Sequence, residues 1–250
     1  WYKTTLISIA YPIWCTIQEG GTEERILLVQ NTATNAKSKL ISIDSIFQRN
    51  KLFRALFPEL LPSKKEVWNS EQMTVPRNGH FPEATFECAG TKTQLVSRHY
   101  TQIIEDDTVA PDRDELGADN LLPTKDDIEQ AIGFHRLAAP LLVDQNTSRN
   151  IVVGTRWFQR DLLSWIDEHE NKIFLSYERA AQENEQGLAD ENGKPTFPQR
   201  FPTKVLEMTK ARLGPYLYSC LYLNKPVNTE TMVFQKHWVQ TFDEFPDRLL

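Results

Sequence analysis

The chain has 250 residues, of which 40% are hydrophobic and 25% are charged, and its formal net charge at pH 7 is -6. This length suits one large domain or a domain with an appendage, and the apolar fraction is sufficient for a sizeable core. The negative charge excludes a generally basic surface that coats nucleic acid, although it permits a local basic groove. No uninterrupted apolar run approaches the roughly 20 residues of a membrane span.

The metal-binding and redox-active residues are scattered. The three cysteines and the five histidines lie far apart in sequence and have no metal-type spacing, so a zinc site is not expected. The cysteines favour a reducing, intracellular compartment without disulfides. The sequence starts at Trp1, and a helical pattern begins at once, without a preceding strand or a signal-peptide pattern. We therefore expect this chain to be an excerpt from a longer protein.

The first half of the chain alternates between helical patterns and apolar runs. Apolar residues recur at helical spacing from Thr4 to Ile17, and Pro12 is expected to kink this helix or to end it early. The run from Arg25 to Gln30 predicts a strand that is buried on both faces. A helix is predicted from Asn35 to Phe47. Further strands are predicted at 71–75 and 84–89.

The second half continues the alternation. A strand is predicted to follow His99, and a helix is predicted to begin at Thr124 with a capping box. An apolar run from Asn150 to Gly154 predicts another strand, and Lys172 to Tyr177 one more. The remaining predictions are an acidic loop at 112–120, a loop at 180–202, a helix capped by Thr203 that ends at Gly214, and helices at 216–223 and in 226–250. Together these elements predict an α/β fold around a mostly parallel sheet.

Three consecutive carboxylates stand at the end of the strand that follows His99. Glu105, Asp106 and Asp107 come directly after Ile103 and Ile104. Adjacent acids repel each other and are costly to desolvate, and a bound cation is the commonest remedy. A magnesium ion held by one acid, with the next acid facing a water molecule, is the arrangement that a nucleotide hydrolase needs. The alternative is a solvated acidic loop after an ordinary strand.

Polar groups mark three points of the predicted fold. Lys3 and Thr4 open a helix, Asp106 and Asp107 end one strand, and Thr155 follows another. In a parallel sheet these positions converge on one edge, where ligands bind. A P-loop enzyme needs a lysine and a helix N-terminus for phosphates, a threonine and an aspartate for magnesium, a second acid for water, and a polar sensor of the γ-phosphate.

The run ATFECAGTKTQLVSRHYTQIIEDDTVAPD, followed by NIVVGTRW and later by RLGPYLYSCLYLNKP, resembles the large subunit of tailed-phage terminases. The opening KTTLISIAYPIW and the run ILLVQNTATNAKSKL look like the Walker A helix and the second strand of the same family. The resemblance covers about residues 3–245, and it is strongest in the middle of the chain. One departure concerns the phosphate loop, whose pattern ends in Gly-Lys-Thr or Gly-Lys-Ser. Tyr2 stands here where glycine is expected.

The resemblance implies a three-layer P-loop ATPase of the RecA-like class, in which ATP hydrolysis drives viral DNA into an empty procapsid. Lys3 would contact the β- and γ-phosphates, and Thr4 would bind Mg²⁺. Asp106 would be the magnesium acid of the Walker B motif, and Asp107 would orient the attacking water. A register shift by one residue would instead give the two roles to Glu105 and Asp106.

Further roles follow from the same resemblance. Thr155 would sense the γ-phosphate with Arg156 beside it, unless Arg156 is an ordinary arginine at the start of a helix. Arg98 would reach the nucleotide of a neighbouring subunit, unless it is a surface arginine that contacts nearby acids.

The resemblance also implies an organisation and a set of partners. Residues 1–180 would form the ATPase domain and residues 181–250 a lid or linker unit that precedes an absent nuclease domain. The acids Asp243, Glu244 and Asp247 do not form a nuclease cluster. The expected partners are double-stranded DNA, the portal protein, the small terminase subunit and further copies of the chain in a ring, all in the host cytoplasm.

Two other functions fit the same residues. A helicase-type P-loop ATPase would share every feature above, but it would need arginine motifs on a second motor domain. A non-catalytic packaging or scaffold component with a decayed nucleotide site is the other alternative, and Tyr2 in the place of glycine favours it.

Overall fold

The computed structural model describes residues 2–111 and 122–226. It divides into two compact units, Trp1–Gly154 and Thr155–Leu250, and each is described by itself. The functional division at residue 180 that the resemblance implies stays a prediction.

A five-stranded sheet forms the centre of the first unit. Its strands are β1 (Ile26–Gln30), β2 (Gln72–Met73), β3 (Phe86–Gly90), β4 (Gln102–Asp106) and β5 (Arg149–Val153). The strand order is β2-β3-β1-β4-β5, in which β3, β1, β4 and β5 are parallel and the short β2 is antiparallel to β3. The predicted α/β fold with a mostly parallel sheet is therefore confirmed.

The first helical segment of the first unit is partly a π-helix and partly an α-helix. Thr5–Ala10 is a π-helix and is followed directly by the α-helix α1 (Tyr11–Thr16), in which Pro12 stands near the start. Proline has no N–H group and cannot continue the hydrogen-bond ladder of the preceding turn, so a break here is expected. The other α-helices described in this unit are α2 (Ala33–Arg49), α3 (Lys51–Leu56) and α4 (Lys125–Ala138).

Helices cover both faces of the sheet. One face packs with α1, α2 and α3 around Leu28 and Ile104, and the other packs with α4 around Leu27 and Ile103. The buried stripe of α2 is the predicted one: Ala36, Leu40, Ile43 and Phe47. At α4, Thr124 and Asp127 form the predicted capping box, because each side chain accepts a hydrogen bond from the backbone N–H of the other residue.

The connections of the sheet identify its ligand-binding edge. The chain leaves β1 toward β3 on one side, and it leaves β4 toward β5 on the other side. In open α/β sheets ligands bind at the carboxyl ends of two strands whose connections diverge in this way. For this sheet that point lies between the ends of β1 and β4, at Gln30 and Asp106.

The second unit contains α5 (Leu162–His169), the antiparallel pair β6 (Gln182–Glu183) and β7 (Lys194–Pro195), α6 (Thr203–Leu213) and α7 (Pro215–Leu223). The predicted strand at 172–177 is wrong, since this segment has no strand assignment. The side chain of Leu175 within it is 98% exposed. Thr203 is the first residue of α6 and not its cap; the cap position is Pro202, which has no capping side chain.

One of the predicted loops is described by the structure, and the other predicted segments are not. The predicted loop at 180–202 contains the short strands β6 and β7. The acidic loop at 112–120, the helical pattern after residue 226 and the acids from Asp243 to Asp247 lie outside the described residues. Among the helices that are described, none is both long and apolar enough to cross a lipid bilayer.

Candidate functional site

Asp106 is the last residue of β4, and its side chain is the centre of a buried polar group. Thr4 Oγ1 donates to its Oδ1 at 3.2 Å, while Ser8 Oγ and Gln30 Nε2 donate to its Oδ2 at 2.8 and 3.0 Å. The residue is 1% exposed. Three donors therefore satisfy the oxygens of this buried carboxylate. The structure therefore brings together Thr4 and Asp106, as the sequence predicted.

Lys3 lies at the same edge of the sheet. Its ammonium group donates a hydrogen bond to the carbonyl oxygen of Gly154, the residue directly after β5. The side chain is exposed, so it is accessible to an anion at this edge. Tyr2, which precedes it, has a left-handed backbone with a φ of 61°. This conformation favours glycine, which is the residue that the phosphate-loop pattern has at this position.

Asp107 follows the end of β4 in an unusual backbone conformation. Its φ is 49°, in the left-handed region that few residues other than glycine and asparagine or aspartate adopt. Its N–H donates to the carbonyl oxygen of Val153 at 2.8 Å, which holds this turn against the end of β5. Strained backbone of this kind is often found at functional sites.

The charge of Asp107 is also affected by its surroundings. Burial raises the pKa of its carboxyl above the ordinary value, and the charge of Asp106 raises it further, whereas the charges of Lys3 and Lys39 lower it. A carboxylate with a raised pKa is a better proton acceptor than an ordinary one.

Glu105 belongs to a different group. Successive side chains of a strand point to opposite faces, and the carboxylate of Glu105 lies 2.8 Å from His135 Nδ1 on α4 and accepts from Asn150 Nδ2 at 3.0 Å. It is fully buried. The group that Asp106 forms with Thr4 therefore does not include Glu105, which favours Asp107 over Glu105 as the second acid of the site.

Thr155 and Arg156 are the first residues of the second unit. Thr155 is half-buried and follows Gly154, the residue that Lys3 contacts. Arg156 donates from Nη2 to Ser164 Oγ at 2.6 Å, and its Nε lies 3.3 Å from Asp161 Oδ1 without the alignment of a hydrogen bond. Because Asp161 caps α5, these contacts fit the alternative of an arginine at the start of a helix.

Arg98 lies away from the acids of the site. It precedes β4, and its Nη1 lies 3.3 Å from Glu87 Oε1 and 3.5 Å from the carbonyl oxygen of Pro82. Pro82 precedes β3, so this arginine is near the amino ends of the strands, whereas Asp106 is at a carboxyl end. The structure does not bring it to the other candidates within one subunit, and a role at a neighbouring nucleotide stays a prediction.

Three side chains at the site were not predicted from the sequence. Gln30 is the one polar residue of β1, and it ends the strand. Ser8 stands four residues after Thr4, so one helical face carries both. Lys39 of α2 contributes a positive charge near Asp107. The signal for Gln30 was an amide at the end of an apolar run, next to the edge where the acids were expected.

The donor atoms fit a hard cation and an anionic ligand. Thr4 and the two aspartates offer oxygen ligands, which Mg²⁺ prefers, and it is commonly bound through one or two carboxylates, waters and substrate phosphates. Lys3 adds a positive charge at the start of a helical segment, where phosphates bind well.

A comparison with the known protein families finds no match to this chain, and a comparison with curated proteins finds none either.

Proposed function

We propose that the chain is the ATPase part of a DNA-packaging motor and that its nucleotide site lies at the carboxyl edge of the parallel strands, around the end of β4. The observation that carries the proposal is the hydrogen bond from Thr4 to Asp106, 102 residues apart, at the diverging connections of a parallel sheet. This pair joins the start of a helix to the end of a buried strand, as a P-loop site requires.

Each residue has a distinct task in the proposed reaction. Lys3 binds the terminal phosphates, and Thr4 offers a hydroxyl oxygen whose proton is directed to Asp106. Asp106 accepts hydrogen bonds from Thr4, Ser8 and Gln30 and would offer an oxygen to the magnesium ion. Asp107 orients the attacking water and accepts its proton, and Thr155 contacts the γ-phosphate. Bound Mg²⁺ would supply positive charge to the transferred phosphoryl group.

The packaging role rests on the resemblance to the large terminase subunit. It implies double-stranded DNA, the portal protein and the small terminase subunit as partners, and a ring in which Arg98 acts on the nucleotide of a neighbour. The acidic net charge of -6 restricts DNA contact to a local surface.

The alternative of a decayed nucleotide site is favoured by Tyr2, whose side chain stands at the glycine position. The left-handed backbone of Tyr2 indicates that the glycine-like conformation is kept despite the side chain. A left-handed residue other than glycine costs about 1–2 kcal/mol. The two functions therefore differ in whether this side chain still permits a phosphate to bind.

Nucleotide binding by the full-length protein separates them. A fluorescent ATP analogue is titrated into the wild type, Lys3→Ala and Tyr2→Gly. The motor requires that the wild type bind and that Lys3→Ala lose about tenfold or more in affinity. If only Tyr2→Gly binds, the site is decayed; if no form binds, the motor function is wrong. Protection of DNA against nuclease in a packaging reaction then tests the motor itself.

A further inference from the structure

We propose that Ser8 and Gln30 are positioning residues that hold Asp106 with Oδ1 turned toward Thr4 and a bound cation. This inference rests on the proposed function. Both side chains donate to the same oxygen, Oδ2, at 2.8 and 3.0 Å, while Thr4 donates to Oδ1 at 3.2 Å. The two oxygens of Asp106 thus have different partners and different tasks.

The location of Gln30 argues that its amide is present for this contact. It is 5% exposed, and the other four residues of β1 are apolar and buried. A buried amide without a hydrogen bond destabilises a protein, so an apolar residue would be favoured here if packing alone decided. The amide meets the charged oxygen of Asp106, where a hydrogen bond is strong.

Ser8 makes the second contact from a different element. It lies in the π-helical segment Thr5–Ala10, is 1% exposed, and reaches the same oxygen as Gln30. One donor leaves a carboxylate free to turn about that bond, whereas two donors from β1 and from the helical segment fix the plane of the group. Together they select Oδ1 as the oxygen that faces Thr4.

A carboxylate has room for about four hydrogen bonds or metal contacts. Two are used at Oδ2, and one is used at Oδ1 by Thr4. The remaining capacity at Oδ1 lies next to the threonine hydroxyl, and these two oxygens would hold the cation of the proposed site. Without Ser8 or Gln30 the carboxylate would rotate, and the cation affinity would fall although Asp106 itself is unchanged.

Binding of Mn²⁺, a paramagnetic substitute for Mg²⁺, tests this inference independently of activity. Mn²⁺ is titrated into the full-length protein with saturating ADP and followed by electron paramagnetic resonance. The variants are Gln30→Met, which keeps the shape but removes the donor, and Ser8→Ala. The matched control is Gln102→Met, because Gln102 is also buried, at 3%, but lies at the opposite end of β4.

We expect Gln30→Met and Ser8→Ala each to weaken Mn²⁺ binding about tenfold, because each variant loses a hydrogen bond that holds the carboxylate. ADP affinity without metal and the Mn²⁺ affinity of Gln102→Met should stay at the wild-type values. A general structural defect would instead lower ADP affinity as well.

Two results would overturn the inference in different ways. If Asp106→Asn loses Mn²⁺ while Gln30→Met and Ser8→Ala bind it as the wild type does, the positioning role is wrong and the proposed function stands. If Asp106→Asn binds Mn²⁺ as tightly as the wild type, both are wrong. Should the first variants melt early, Ser8→Cys keeps the volume with a weaker donor, and unchanged Mn²⁺ affinity in that folded variant also overturns the role.

Discussion

Glu105 and Asp106 are neighbours in the chain, but their carboxylates lie on opposite faces of the sheet. Glu105 meets His135 of α4 at 2.8 Å, and Asp106 meets Ser8 of the first helical segment at 2.8 Å. The alternation of side chains along β4 separates the two acids. Glu105 thus has a structural partner, while Asp106 and Asp107 share the edge of the sheet with Lys3.

The first prediction concerns the pair of Glu105 and His135. Replacing either residue alone by leucine should lower the free energy of unfolding by about 3 kcal/mol, because the remaining partner loses this buried polar contact. Replacing both should destabilise less than the sum of the single changes. Urea denaturation of the two single variants and the double variant measures this. Additive effects would show that the two side chains are not coupled.

The second prediction concerns the charge of Asp107. Because its pKa is raised in the folded state, its contribution to stability is fully present below the unfolded pKa of about 4 and is lost as the pH rises through the raised value. Asparagine has no carboxyl group that can ionise, so Asp107→Asn does not lose this stability as the pH rises. The variant should therefore be more stable than the wild type at pH 7, and the difference should shrink below about pH 4.

Asp144→Asn is the matched control in the same denaturation experiment. Hydrogen bonding by Asn146 lowers the pKa of Asp144, so its carboxylate stabilises the fold above the unfolded pKa and this contribution is lost on acidification. This variant should be less stable than the wild type at pH 7. A loss of stability at pH 7 in Asp107→Asn would contradict the prediction for the site.

The third prediction concerns the contact between the end of β3 and the start of α2. A Cβ atom at Gly90 would lie 2.5 Å from the backbone nitrogen of Ala33 and 2.9 Å from the carbonyl carbon of Thr32. Gly90→Ala should therefore lower the free energy of unfolding by about 1–3 kcal/mol. Thermal or urea denaturation measures the change.

Gly133→Ala provides the control for that substitution. Gly133 lies in α4, and a Cβ atom added there would have no group of another element within 4 Å among the described residues. Alanine should raise the stability here by about 0.5–1 kcal/mol, because glycine is unfavourable within a helix. A Gly90→Ala variant as stable as Gly133→Ala would show that α2 shifts freely away from β3.

The sequence predicted those strands and helices whose burial is visible in their own residue pattern. The run that became β1 is almost wholly apolar because it lies inside the sheet, the pair Ile103 and Ile104 indicated β4, and the stripe of α2 faces the core at helical spacing. The three acids marked the region where β4 ends, but the strand includes Glu105 and Asp106, because each of these buried carboxylates has hydrogen-bond partners.

Elements that depend on distant partners were predicted less well. Ile173 and Leu175 carry a strand-like apolar pattern, yet a strand exists only where another strand pairs with it, and the pattern holds no information about that partner. Gln30 and Ser8 were missed for a related reason. A single polar residue has no period, and only the fold brings both to the carboxylate of Asp106.

The proposed site depends most on the separate roles of Asp107 and Glu105, and one measurement compares them directly. Mg²⁺-dependent release of phosphate from ATP is measured for the full-length wild type, Asp107→Asn and Glu105→Gln, two variants that each replace one carboxylate by its amide. We predict that Asp107→Asn lowers the rate at least about 100-fold, the lower range for a catalytic proton acceptor, while Glu105→Gln retains most of it. Full hydrolysis by Asp107→Asn, or loss of hydrolysis in a folded Glu105→Gln alone, would contradict the proposed site.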